Sequence, residues 1–202
     1  HLVRERGLLM QEAVAACGGT MTALVAGKGA VVDIDAVEAC LSGLEADIAN
    51  LNSPTQTVIS GTREAILAAL ARLKKAGCRL RSIELEVSAP FHSRFMAPVL
   101  EPLQGLLDGH MVELRAEKAG RVTSNFGGGF HRRDAEAITR ALALQTVSPV
   151  LWLENMKALA SRASKFIEVG PGRPLAGFFS AIGIEAASVK DLASAAEVFD
   201  RS

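Results

Sequence analysis

Asp47-Ile48-Ala49-Asn50-Leu51-Asn52-Ser53-Pro54-Thr55-Gln56-Thr57-Val58-Ile59-Ser60-Gly61 reads as two strands, 47–52 and 56–60, turned on Ser53-Pro54 and closed at Gly61. What flanks this hairpin decides the local fold. Before it, Met21 to Ala26 is a short apolar strand ended by Gly27-Lys28-Gly29. A helix then follows, capped by Asp33 or Asp35, with Ile34, Val37 and Leu41 on one face and a stop at Ser42-Gly43. After the hairpin, Thr62 starts a second helix, with Ala65, Ile66, Leu67, Leu70 and Leu73, that Gly77 ends; a strand from Arg79 to Val87 completes the set. The order from Thr20 to Val87 is therefore β-α-β-β-α-β, the arrangement of a ferredoxin-like sandwich with two helices on one face of an antiparallel sheet.

The flanks follow another rhythm. Residues 1–17 are helical in pattern (Leu2, Val3, Arg6, Leu9, Met10) and end at Gly18-Gly19. No cap precedes this helix and the chain opens on His1, so the expectation is that something upstream is missing. Beyond Pro90, which moves Ala89 out of helical backbone space, Met96, Val99, Leu100, Leu103, Leu106 and Leu107 recur at helical spacing. Arg121 to Asn125 reads as a short buried strand and Phe126 to Phe130 as a flexible loop. Asp134 caps a helix through Gln145, and Pro149 opens another that carries Trp152, Met156 and Leu159. Lys165 to Val169 is an apolar strand, Leu175 to Ile182 a helix, Ala186 to Val189 a last strand and Ala193 to Phe199 a terminal helix. Strands alternating with helices predict a parallel sheet covered on both faces. The expected organisation is one α/β domain, residues 1–17 and 88–202, interrupted by a small subdomain over 18–87.

Composition narrows the function classes. Of 202 residues 49% are apolar, and 22 basic residues balance 22 acidic ones. With no basic stripe interleaved with aromatics, nucleic acid is not an expected partner. The apolar runs are too short to cross a bilayer and no signal core is present, so a soluble protein of the cytoplasm, without a membrane partner, is expected. Cys17, Cys40 and Cys78 are widely spaced in apolar surroundings, which argues for buried thiols and against a disulfide framework or a zinc site. No metal or cofactor is called for.

His92, one of four histidines, falls between the strand that ends near Val87 and the helix that follows. A strand-to-helix turn on a rigid scaffold is a usual place for a working side chain, and an imidazole moves protons near neutral pH. The alternative is an ordinary turn histidine that caps its helix.

Several blocks together carry a resemblance. Arg6-Gly7 with Met10-Gln11, Asn52-Ser53-Pro54 with Gln56 and Val58-Ile59-Ser60-Gly61, Ser88-Ala89-Pro90-Phe91-His92-Ser93 with Met96, Gln145 ahead of Pro149-Val150 and Trp152, and Glu168-Val169-Gly170-Pro171-Gly172 with Leu175 occur in order along almost the whole chain. In these blocks the sequence resembles the malonyl-CoA:acyl-carrier-protein transacylases, including the acyltransferase domains of polyketide synthases. The resemblance implies an α/β-hydrolase-like domain with a ferredoxin-like lobe inserted. It also implies transfer of malonyl from malonyl-CoA, through an acyl-serine, to the phosphopantetheine thiol of an acyl carrier protein. Residue by residue, it implies that His92 is the general base and acid, and that Gln145 lies where the histidine is oriented, with a backbone carbonyl in place of the usual acidic third member. Arg6 would pair with the free malonyl carboxylate through its planar fork. Asn52 would line the substrate cleft or simply complete a turn, and Phe91 would disfavour α-branched acyl groups by crowding the α-carbon. Gly170-Pro171-Gly172 reads as a structural turn, since it lacks the lysine and hydroxyl residue of a phosphate loop.

One element of the family pattern is not in these residues: no Gly-x-Ser-x-Gly elbow occurs. The expectation is therefore an upstream segment or separate chain that carries the serine. Two other functions compete: an acyl-carrier-protein proofreading hydrolase of the same fold, against which Arg6 speaks, and a non-catalytic module that binds carrier protein.

Overall fold

The computed structural model describes residues 1–87 and 89–199, with side chains for all of these except 14–17; Ser88 and the Cys17 thiol lie outside the described residues. Strands β1 (Thr20–Ala26), β2 (Ala46–Ser53), β3 (Gln56–Gly61) and β4 (Leu80–Glu84) form one antiparallel sheet in the order β2-β3-β1-β4. Helices α2 (Ile34–Leu41) and α3 (Arg63–Lys75) lie on one face of it. Of the two candidate caps Asp33 serves, accepting the Ala36 N–H at 3.0 Å, and Thr62 accepts the Ala65 N–H at 3.2 Å. The pleat sorts alternate residues: Leu24 and Ile59 face Val37, Leu41, Ile66 and Leu73 of the helices, while Met21, Ala23 and Val58 face the other way. The final strand ends at Glu84, short of the expected Val87, although the Leu85 N–H still reaches the Met21 carbonyl at 2.9 Å.

That second face is where the two parts of the chain meet. Phe91 packs there against Met21, Ala23, Ala49 and Val58, and also belongs to a cluster of Met10, Met96, Val99, Leu103, Leu107 and Ala143. The latter joins α1 (Leu2–Cys17), α4 (Ala97–Gly109) and α5 (Ala135–Leu144), the last capped by Asp134 through the Ala137 N–H at 2.7 Å. The seam is tight enough to exclude a methyl group. A Cβ on Gly19 would fall 2.8 Å from Pro90 Cδ and 2.9 Å from the Gly61 carbonyl oxygen; within the sheet, one on Gly61 would run into the Glu45 carbonyl oxygen.

The remainder departs from expectation in its strands. Over Arg121 to Asn125 the strand is only β5 (Thr123–Ser124), paired antiparallel with β6 (Gly129–Phe130), so the glycine-rich stretch is a tight turn of a small ribbon. The Arg162 guanidinium lies 3.8 Å from the centre of the Phe130 ring and secures that ribbon from outside. Helix α6 (Trp152–Ala160) begins after Pro149, not at it. Strands β7 (Ile167–Val169) and β8 (Ala187–Val189) pair in parallel beside a cluster of Met156, Ala176, Phe179 and Ala186 that α6 and α7 (Pro174–Ser180) help to build, and α8 (Leu192–Phe199) packs against β8. Among the described residues, parallel pairing is limited to this short pair and a single bridge between Asn50 and Val150. Cys40 and Cys78 are free thiols, half-buried against the helix-facing cluster, whereas full burial was expected.

Leu24, fully buried at the centre of the sheet, is expected to cost about 2–5 kcal/mol of stability when truncated in Leu24→Ala. Leu67, which is 61% exposed on α3, should change stability by less than about 0.5 kcal/mol in Leu67→Ala. Urea denaturation of the two variants side by side checks the contrast.

Candidate active site

The turn after Pro90 holds its backbone in a constrained conformation. His92 has φ 56°, and among the described residues no other non-glycine residue lies in the left-handed region. Buried Ser93 anchors the turn on both sides, donating its hydroxyl to the Pro90 carbonyl and accepting the Phe95 N–H at 3.4 Å. A one-turn 3-10 helix, Arg94–Met96, leads directly into α4.

The ring of His92 is held from a distant part of the chain. Its Nδ1 lies 2.9 Å from the backbone carbonyl oxygen of Gln145, just after α5. With Nδ1–H donating to that carbonyl, Nε2 is left as the acceptor. The Gln145 side chain does something else: its Nε2 donates to the Ser148 carbonyl at 3.3 Å and closes the turn that presents the backbone carbonyl. The next residues are tied to the sheet. Val150 donates its N–H to the Ala49 carbonyl at 2.8 Å, and its own carbonyl accepts the Leu51 N–H at 2.9 Å.

Burial pushes the His92 imidazole below its ordinary value, and the nearby Arg6 cation pushes the same way, against the raising effect of the backbone at Gln145 and Ser148. The net direction is down, so the ring is a neutral base at pH 7. Arg6, half-buried on α1, is thus in the electrostatic neighbourhood of His92; among the described residues no carboxylate pairs with it, while its neighbour Arg4 and His1 both approach Glu5. A cleft of about 630 Å³ opens beside His92, lined also by Leu44, Asp47, Arg94, Val147 and Pro149.

Of the expected site residues His92 alone lines this cleft; Arg6, Gln145, Asn52 and Phe91 do not. Asn52, on β2, donates from Nδ2 to Gln56 Oε1 at 2.8 Å across the hairpin, and it does not line that cleft. Phe91 is half-buried between the sheet and the helical cluster. Glu168 accepts the Leu175 and Ala176 N–H groups at 3.1 and 2.8 Å, so its carboxylate already occupies the amides that an anion at the Gly170-Pro171-Gly172 turn would seek. The sequence reading missed Asp47 and Arg94, which meet beside His92 with Arg94 Nε 3.0 Å from Asp47 Oδ2. Nothing in the sequence links two residues of opposite charge so far apart. Among the described residues no cluster of three or more His, Cys, Asp or Glu side chains is placed to hold a metal ion, and no helix is long and apolar enough to cross a membrane.

No family model matches the chain. Individual proteins do. A malonyl CoA-acyl carrier protein transacylase of Bacillus subtilis (strain 168) is 36% identical over 178 residues, covering 88% of this chain and 55% of that protein. Among solved structures, an acyl-carrier-protein S-malonyltransferase from Burkholderia pseudomallei 1710b superposes with a TM-score of 0.84 at 34% identity, over 98% of this chain and 64% of that one. A malonyl-transacylase solved in complex with the acyl-carrier protein of a type II polyketide synthase also gives a TM-score of 0.84, at 30% identity, over 100% of this chain and 64% of that one. The chain spans little more than half the length of the curated relatives it matches. Over most of its own length, in sequence and in fold alike, the chain is a homologue of the malonyl CoA-acyl carrier protein transacylases.

Proposed function

We propose that the protein transfers a malonyl group from malonyl-CoA to the phosphopantetheine thiol of an acyl carrier protein, by way of an acyl-serine. The observation that carries this reading is the bond from His92 Nδ1 to the Gln145 carbonyl, which leaves Nε2 free to accept a proton. In this reading residues 1–17 and 88–202 are part of an α/β-hydrolase-like domain, and 18–87 are a ferredoxin-like insert, in keeping with the β2-β3-β1-β4 strand order. The serine is supplied by a segment outside these 202 residues. Ser93 is no candidate, because its hydroxyl is buried and committed to the Pro90 carbonyl.

His92 Nε2 takes the serine proton as the oxygen attacks the thioester carbonyl, and returns it to the departing coenzyme A thiolate. In the second half the carrier thiol gives its proton to Nε2 and attacks the ester. The proton then goes back to the serine oxygen. The Gln145 carbonyl orients the ring throughout, although a neutral acceptor stabilises the imidazolium less than a carboxylate would. Arg6 receives the malonyl carboxylate with two parallel N–H donors, which also distinguishes malonyl from acetyl and favours transfer over a proofreading hydrolase. Asn52, tied to Gln56, and Phe91, packed between the two apolar clusters, act in this reading by shaping the turn and the wall behind His92 and not by lining the cleft. The reaction needs no cofactor beyond the thioester, and we place it in the cytoplasm.

Incubation of the full-length protein with labelled malonyl-CoA, followed by intact-mass measurement, should show one malonyl adduct. Arg6→Ala is expected to lower malonyl loading by about 10- to 100-fold, the loss of a charged hydrogen-bonded pair, while acetyl loading persists. His92→Ala should lose transfer by about 100-fold or more with its circular dichroism unchanged. Wild-type turnover in His92→Ala would remove the proposed base.

The lowered imidazole gives a pH test with a definite sign. Because the folded value lies below the unfolded value of about 6.5, the unfolded chain binds more protons in the window between them. The stability contributed by neutral His92 is therefore complete above about pH 6.5 and is lost as pH falls through that window. NMR titration of the ring should give a midpoint below about 6.5, moving upward in Arg6→Ala. A wild-type midpoint at or above the ordinary value would contradict the geometry.

A further inference from the structure

We propose that Asp47 is a positioning residue for His92, acting through the backbone of Arg94; the catalytic half of this inference rests on the reading of His92 as the base. The left-handed turn at His92 persists only if its surroundings over-determine it. On its N-terminal side the chain is pinned by Pro90 against Gly19 and by the Ser93 hydroxyl. On its C-terminal side the next anchor is Asp47, at the start of β2, whose Oδ2 accepts the backbone N–H of Arg94 at 2.9 Å.

The same carboxylate also takes the Arg94 side chain. Arg94 Nε lies 3.1 Å from Oδ1 and 3.0 Å from Oδ2, and Arg94 Nη2 donates to Oδ1 as well. A plain surface ion pair has no need of the backbone N–H. Here one carboxylate grips main chain and side chain of a single residue, two positions beyond His92, and so sets the direction in which the backbone leaves the turn. It also caps the first turn of the 3-10 helix from another element, where N–H groups lack partners within the helix. Burial alone would raise the Asp47 carboxyl, but the Arg94 contacts outweigh it and keep the group ionised.

The two anchors of His92 share one frame. Asp47 lies on β2, and the segment after Gln145 is bound to β2 through Val150. The backbone beyond His92 and the carbonyl that holds its ring therefore stand on the same strand. Because the Arg94 and Asp47 side chains are 60% and 25% exposed, their ion pair should add little to global stability. Its loss should appear in the geometry of His92 instead.

The test uses Asp47→Ala, Asp47→Asn and Arg94→Ala in the full-length protein, with His92→Ala in parallel. Asp47→Ala is expected to lower kcat for malonyl loading at least tenfold, with KM for malonyl-CoA within twofold and the melting temperature nearly unchanged. Asp47→Asn and Arg94→Ala, which each keep an acceptor for the Arg94 N–H, should lose less. Should Asp47→Ala fail to fold, the other two carry the same ranking below wild type. A second readout does not depend on turnover: in nitrogen-15-labelled protein, the His92 Nδ1–H signal should exchange with water at least tenfold faster in Asp47→Ala. Unchanged exchange and unchanged kcat in Asp47→Ala, or a drop in kcat that only follows loss of folded protein, overturns the positioning role. Full turnover in His92→Ala with faster ring exchange in Asp47→Ala sinks the acyl-transfer reading and leaves the anchor standing.

Discussion

The edge of β2 is the constraint on which the site depends. An antiparallel sheet leaves unpaired N–H and C=O groups along its outer strand, and such groups seek partners. In this chain the Ala49 carbonyl and the Leu51 N–H take both backbone groups of Val150, so a strand edge becomes a clamp for the polypeptide just after Gln145. Asp47, one turn of the pleat earlier, takes the Arg94 N–H. Residues from three remote parts of the sequence thereby meet at one imidazole. Phe91 fills the space beneath them, with one side in the sheet's cluster and the other in that of the helices.

The electrostatics follow from this packing. A half-buried imidazole within electrostatic reach of a guanidinium is disfavoured as a cation, so it stays neutral and able to accept a proton. A carbonyl as the third member suits that state: it fixes the tautomer without adding the negative charge that would draw a proton onto the ring. In the proposed reaction the arrangement trades some stabilisation of the imidazolium for a base that is ready near neutral pH. Among the described residues no carboxylate pairs with Arg6, in keeping with the proposed role of its charge toward the malonyl carboxylate.

Much of this was legible in the residues. The hairpin at Ser53-Pro54, the caps at Thr62 and Asp134 and the alternating strands were readable because turn chemistry, capping and pleat act over a few neighbouring positions. Asp33 and Asp35 could not be separated by sequence, since either can reach an amide of the same first turn. The stretch 121–130 misled because apolar and β-branched residues beside glycines suit both a buried strand and a two-residue ribbon. His92 stood out through its position on the turn, and Arg6 and Gln145 through the motifs around them. The grip of Asp47 on Arg94 left no trace, because an exposed charge pair joining residues 47 apart in the chain follows no periodicity. Nor does a backbone carbonyl announce itself: the Gln145 oxygen that meets His92 belongs to the main chain, and any residue could present it.

The left-handed backbone at His92 has one more implication, for how the protein would respond to selection for robustness alone. Holding a residue with a Cβ in that region costs about 1 kcal/mol, and glycine or asparagine occupies it more comfortably. With the proposed role of His92, thermal hardiness and proton transfer make opposed demands on position 92. A screen that rewarded only heat tolerance would drift toward the smaller residue and yield a sturdier, silent protein.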